Sequence, residues 1–63
     1  MKVNYVFAGN IIIQTIKEYD LWSVSVRDRA TSDVLFNSEC QGLYFTTEEV
    51  AIKWAADKFK MDE

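Results

Sequence analysis

Residues 21–27 read LWSVSVR, and residues 46–59 read TTEEVAIKWAADKF. In the first stretch apolar and polar side chains alternate, so Trp22, Val24 and Val26 share one face, as in a half-buried β-strand. In the second stretch apolar side chains recur every three or four positions, which is typical of an amphipathic helix. The change of period from 2 to 3.6 predicts a sheet that is covered by a following helix.

The helix is predicted to span about residues 47–60. Thr46 and Glu49 have the spacing of a capping box, and acidic residues in the first turn suit the positive end of the helix dipole. The apolar face consists of Ala51, Ile52, Trp54, Ala55 and Phe59. We expect Trp22 and Trp54 to be buried between the helix and the sheet.

The remaining strands are read from turn signals. Residues 28–33 form a polar turn that precedes a short strand at about 33–38, and Gly42 suits a positive φ in the loop that follows. Residues 2–8 alternate as a strand, and Gly9-Asn10 is a two-residue hairpin signal.

Residues 11–18 admit two interpretations. The β-branched run IIIQTI favours a return strand. The alternative is a helix capped by Asn10, with Ile12, Ile16 and Tyr19 on one face, although isoleucines in the first turn are poor helix formers.

The sequence therefore predicts an α+β fold in one small domain, residues 1–63. It comprises an antiparallel meander of three to four strands, at about 2–8, 11–18, 21–28 and 33–38, with one C-terminal helix packed on one face.

The segment from Trp22 to Phe59 combines W-x-V-x-V-R-D, a turn, an apolar strand and F-T-T-E-E-V-A-x-x-W-A-A-D-K-F. It resembles the three-stranded-sheet-plus-helix outline of AP2-type and integrase-type DNA-binding domains, and it is similar to small uncharacterised bacterial proteins of antiparallel-sheet-plus-helix form. AP2-type domains read DNA through Arg and Trp on the exposed sheet face. Here the candidate polar sheet face carries Ser23, Ser25 and Arg27, and the basic YRGVR-like start is missing, so the resemblance implies a fold and no function.

Composition excludes several chemistries. With no histidine and one cysteine, Cys40, the chain cannot form a Cys/His zinc site, an intrachain disulfide, or a Ser-His-Asp or Cys-His catalytic group. The acidic pairs flank turns or begin the helix, and the two glycines are too far apart to form a phosphate-binding loop. We therefore expect a protein that is not an enzyme and that requires no cofactor and no metal.

More apolar residues are present than one helix can cover. Strict alternation, with Tyr5 and Phe7 assigned to the covered face, turns Val6, two isoleucines and Leu35 outward. The first strand carries Lys2 as its only charge and no proline, so it would form an unprotected edge. The candidate interaction surface consists of Val3, Tyr5, Val6, Ile11, Ile13 and Leu35. The alternative is that the termini or the loop at 37–45 cover this surface.

These features predict a small protein–protein interaction module that forms a homodimer. Such a module could act as a regulator or inhibitor of a larger protein. The homodimer would form either by edge pairing of the first strands or by stacking of the outward sheet faces. On this interpretation Val6→Asp converts the dimer to a monomer and lowers its thermal stability. The alternative function is nucleic-acid binding, which the net charge of −3 disfavours. Neither a signal peptide nor a membrane span is evident, so we expect a cytoplasmic protein without a membrane partner.

Overall fold

Four antiparallel strands and one helix follow one another along the chain in a computed structural model that describes residues 2–59. The sheet order is β1-β2-β3-β4, so each strand pairs with its neighbour in sequence. The elements are β1 (Lys2–Ala8), β2 (Ile11–Glu18), β3 (Leu21–Asp28), β4 (Val34–Asn37), a short 3₁₀ helix (Glu39–Gln41) and α1 (Glu48–Phe59). The predicted α+β fold is confirmed.

The ambiguous segment is a strand. β2 pairs with β1 over seven residues and with β3 over eight, so it lies between two strands in the sheet. The β1–β2 turn has Gly9 at φ 65°, which a glycine adopts without the penalty paid by other residues. The helical alternative for residues 11–18 is therefore wrong, and the β-branched composition of this segment indicated its conformation correctly.

β4 is shorter than predicted, because the chain leaves the regular ladder after Asn37. A register shift between Val26 and Arg27 interrupts its pairing with β3. The 3₁₀ helix then makes an excursion that ends at Gly42, whose φ of 70° confirms the predicted positive φ. The chain returns to β3 at Phe45, where backbone N–H groups and carbonyls are exchanged with Trp22 at 2.8 Å in both directions.

Ser38 connects β3 to this excursion. Its backbone N–H donates to the Val24 carbonyl at 2.8 Å, and its Oγ accepts from the Val24 N–H at 2.8 Å. The Ser38 carbonyl accepts from the N–H groups of Gln41 and Leu43, at 3.0 and 2.8 Å. One fully buried residue thus replaces a strand pair and holds the loop closed.

The N-cap of α1 is Thr47 and not Thr46. The Thr47 Oγ1 accepts from the Val50 N–H at 3.2 Å, and its carbonyl accepts from the Ala51 N–H. Three residues after Thr47 stands Val50, so the predicted capping box is wrong and the cap is a single side chain. The predicted helix end at residue 60, including Lys60, lies outside the described residues.

The core lies between α1 and one face of the sheet. Ala51 and Ala55 are fully buried, and their small side chains allow the helix to approach β2 and β3 closely. Beside them the Trp54 ring lies 5.2 Å from Phe36 and 5.6 Å from Phe45, centroid to centroid. The expectation of burial is confirmed for Trp22, whereas Trp54 is half-buried.

Candidate interaction surface

The sheet has one covered and one uncovered face. The uncovered face, called here the open face, is the one that points away from α1. Because residues opposite each other in an antiparallel pair share a face, the strand register assigns its members. On the first three strands they are Val3, Tyr5 and Phe7 of β1, Ile12, Gln14 and Ile16 of β2, and Ser23, Ser25 and Arg27 of β3.

Three of the residues predicted to face outward lie on the covered side instead. Ile11 and Ile13 are core residues, with 2% and 0% of their surface exposed. Val6 is opposite Ile13 in the register and packs against the core, together with Ala8. The expectation that Val6, Ile11 and Ile13 are exposed is therefore wrong.

The residues that replace them form an apolar stripe along β1. Val3 is 40% exposed, Tyr5 60% and Phe7 61%, so the assignment of Tyr5 and Phe7 to the covered face is also wrong. The Tyr5 hydroxyl accepts from Gln14 Nε2 at 3.2 Å, and the Arg29 guanidinium lies 5.4 Å from the centre of the Phe7 ring. The open face is therefore most apolar at its β1 side.

The candidate polar face lies on β3, in the middle of the sheet. Ser23 and Ser25 are only 7% and 6% exposed, so their short side chains offer little polar surface on the open face. Arg27 is half-buried, and its Nη1 donates to the Ser32 carbonyl at 3.1 Å. Leu35 is 48% exposed on β4 and is separated from β1 by two strands. The structure therefore does not bring Leu35 together with Val3 and Tyr5.

The two edges of the sheet differ. β1 is seven residues long and pairs with β2 without a register shift. β4 has four residues, a register shift and the 3₁₀ excursion directly after it. Short and irregular edge strands pair poorly with a strand of another chain. A long regular edge strand with few charges presents a row of free backbone N–H and C=O groups with which such a strand can pair. β1 is therefore the edge suited to association.

Glu48 fastens the beginning of α1 to the covered face of the sheet. Its Oε2 accepts from Asn4 Nδ2 at 2.9 Å and from Thr15 Oγ1 at 2.8 Å. These hydrogen bonds, that of Asn4 first, lower the pKa of the Glu48 carboxyl, and the positive charge of Lys2 acts in the same direction. The buried Thr15 hydroxyl gains an ionised acceptor, so this contact depends on the charge of Glu48.

We expect Glu48→Gln to abolish a pH-dependent part of the stability. Because the folded state lowers the pKa of Glu48, its contribution is complete above the range in which an unfolded Glu titrates, about pH 4.3, and is lost as the pH falls through the folded pKa. The melting temperatures of wild type and variant should differ most near neutral pH and converge in acid.

Glu49→Gln is the matched control, since Glu49 is the exposed neighbour in the same helical turn. Its melting temperature should follow the wild-type pH profile. A constant difference between Glu48→Gln and wild type from pH 7 to pH 3 would contradict the role assigned to the Glu48 charge.

A shallow, open depression is lined by Gly9, Asn10, Arg29 and Ala30 at the end of the sheet that carries the β1–β2 turn. Within residues 2–59, no three Asp, Glu or Cys side chains are grouped as metal ligands. Cys40 is exposed on the 3₁₀ helix.

Comparisons of the chain with protein-family models, curated proteins and solved structures returned no match. Among residues 2–59, the single α-helix is too short and too polar to cross a membrane.

Proposed function

We propose that this protein is a non-enzymatic interaction module that acts as a homodimer and associates through β1, the long strand at one edge of its sheet. The observation that carries the proposal is the stripe of Val3, Tyr5 and Phe7, each at least 40% exposed on a face that α1 does not cover. Contiguous exposed apolar side chains on a small protein mark interaction sites more often than isolated ones do. The exposed Cys40 thiol suits a reducing compartment such as the cytoplasm.

The size of the chain supports association. A 63-residue domain buries only about 60% of the surface that its unfolded chain exposes, so its own core gives limited stability. Small domains often compensate with disulfides, metals or oligomerisation. A single cysteine and no histidine leave dense aromatic packing and association as the means available to this sequence. An ordinary dimer interface would bury about 800 Å² per partner.

Nucleic-acid binding gains no support from the candidate polar face or from Arg29 beside it. Ser23 and Ser25 are sheltered, Arg27 is engaged with the Ser32 carbonyl, and the Arg29 guanidinium lies over the Phe7 ring. Affinity for nucleic acid depends on cations that neutralise phosphates, and the chain has a net charge of −3.

We expect sedimentation equilibrium to give twice the chain mass of 7.3 kDa at tens of micromolar, with dissociation on dilution. The melting temperature should rise with protein concentration, because association stabilises only the folded chain. A monomer mass up to hundreds of micromolar, together with a melting temperature that is independent of concentration, would refute the proposed function.

A further inference from the structure

We propose a specific geometry for this association, an inference that rests on the proposed function. Two copies join their β1 strands in antiparallel orientation about a two-fold axis at Tyr5. The two four-stranded sheets then form one continuous eight-stranded sheet, with both α1 helices on one side and both open faces on the other. The occupant of the β1 edge is therefore a second copy of this chain.

The hydrogen-bonding pattern of the first hairpin identifies the free groups on β1. A two-residue turn is closed by an i to i+3 hydrogen bond, here between Ala8 and Ile11, which face each other in the register. Bonded and non-bonded pairs alternate along an antiparallel ladder. The N–H and C=O groups of Val3, Tyr5 and Phe7 therefore point away from β2, toward the free edge.

Pairing about Tyr5 uses all of these groups. Tyr5 then faces Tyr5 of the partner subunit, and Val3 faces Phe7 of the partner subunit. Each of the three residues donates one backbone hydrogen bond and accepts one, and all seven residues of β1 are opposite a partner residue. Two-fold axes at other positions along β1 leave part of the strand unpaired.

The side chains suit this register. Directly opposite residues share a face, so the Val3, Tyr5 and Phe7 stripes of two copies merge into one apolar band on the open face. Aromatic and β-branched cross-strand pairs stabilise antiparallel ladders. Lys2 faces Ala8 of the partner subunit, so the two Lys2 ammonium groups of the dimer lie at opposite ends of the paired strands and do not repel each other. α1 packs mainly over β2 and β3, which leaves the β1 edge accessible.

Stacking of two open faces is the competing geometry, and the middle of the open face disfavours it. Gln14 and Arg27 are half-buried on this face, and stacking would remove the exposed part of their polar groups from water at a cost in desolvation. Edge pairing leaves these groups where they are and satisfies backbone groups that stacking would leave free. It also ends at two copies, because the outer edges of the dimer are the short, irregular β4 strands.

Disulfide trapping tests the register. In a Cys40→Ser background, which removes the exposed native thiol, Tyr5→Cys should form an intermolecular disulfide under mild oxidation. Opposite residues in a bonded pair have Cα atoms about 5.5 Å apart, within the range that a disulfide spans. Val3→Cys is the matched control. Its two copies would be about 13 Å apart along the strands, and no disulfide should form.

A mixture of Val3→Cys and Phe7→Cys chains provides a second arm that retains Tyr5. It should yield the heterodimeric disulfide. Two results would overturn the register: failure of both the Tyr5→Cys protein and the mixture to cross-link, or efficient cross-linking of Val3→Cys alone. If sedimentation still showed a dimer, the proposed function would survive that failure. A monomer in sedimentation would refute the proposed function itself.

Discussion

Replacing Ser38 with alanine is expected to lower the free energy of unfolding by about 1–3 kcal/mol. The Ser38 hydroxyl oxygen accepts the hydrogen bond of the Val24 N–H, and both residues are fully buried. Alanine would leave that N–H without a partner in the middle of the domain. Folding would then remove the N–H from water without giving it a new acceptor, and the free energy of unfolding would fall by that desolvation cost. The loop from Glu39 to Phe45 would also lose one of its fastenings to β3.

This effect is large for a chain of 63 residues, for which a total stability of about 3–9 kcal/mol is expected. Each kcal/mol lost shifts the melting temperature of so small a domain by about 4–8 °C. Thermal unfolding followed by circular dichroism measures the change. Ser25→Ala removes a hydroxyl from β3, beside Val24, and should have a small effect, since Ser25 takes part in none of the side-chain hydrogen bonds found within residues 2–59. Equal losses in the two variants would contradict the role of Ser38.

Adjacent substitutions on β1 are expected to have opposite consequences. Val6→Asp should destabilise the chain strongly, because the half-buried Val6 packs against the core and a carboxylate there would be partly desolvated without an ionic partner. This result differs from the sequence-based expectation, in which Val6 faces outward and the same substitution lowers the thermal stability only by converting the dimer to a monomer. Far-UV circular dichroism of Val6→Asp at 20 °C should show loss of the folded signal.

Tyr5→Asp places the same charge one residue away, at a position that is 60% exposed. We expect this variant to keep its folded spectrum and to sediment as a monomer, since two carboxylates would meet at the two-fold axis. A folded dimeric Val6→Asp, or a Tyr5→Asp protein that remains dimeric at micromolar concentration, would contradict the assignment of these faces.

Much of the architecture could be predicted from the sequence because several local signals agree. Strict alternation in β3, the Gly9-Asn10 turn and the amphipathic pattern of α1 each specify one element without reference to the others. β2 was ambiguous because short apolar runs fit a strand or a helix, and its β-branched residues gave the correct answer.

The faces of β1 could not be read from alternation. Both sets of side chains contain apolar residues, with Val3, Tyr5 and Phe7 on one side and Val6 and Ala8 on the other. Alternation alone therefore does not show which of the two sets faces the core. The register with β2 determines which set faces the core. The two-residue turn fixes that register, because it places Ala8 opposite Ile11. Starting from that turn would have assigned Val6 to the core beside Ile13.

Ser38 and Glu48 were missed for a different reason. Each acts through partners that are distant in sequence, Val24 for Ser38, and Asn4 and Thr15 for Glu48. A serine in a polar loop and a glutamate at the start of a helix are ordinary local features, and only the three-dimensional structure shows that they bind the sheet.

The nearest-neighbour order of the sheet also has a kinetic consequence. Each strand pairs with the one made just before it, and two-residue turns join β1 to β2 and β2 to β3. Each new strand can therefore add to the preceding one while the chain is being synthesised. Because the connecting turns are short, each addition costs little loop-closure entropy. α1 leaves the ribosome after all four strands. The side chains of Ile13, Val24 and Val26 on the covered face therefore remain exposed to water until α1 packs on them. Docking of α1 is then the step that closes the core and ends the period when a nascent sheet is most vulnerable to aggregation.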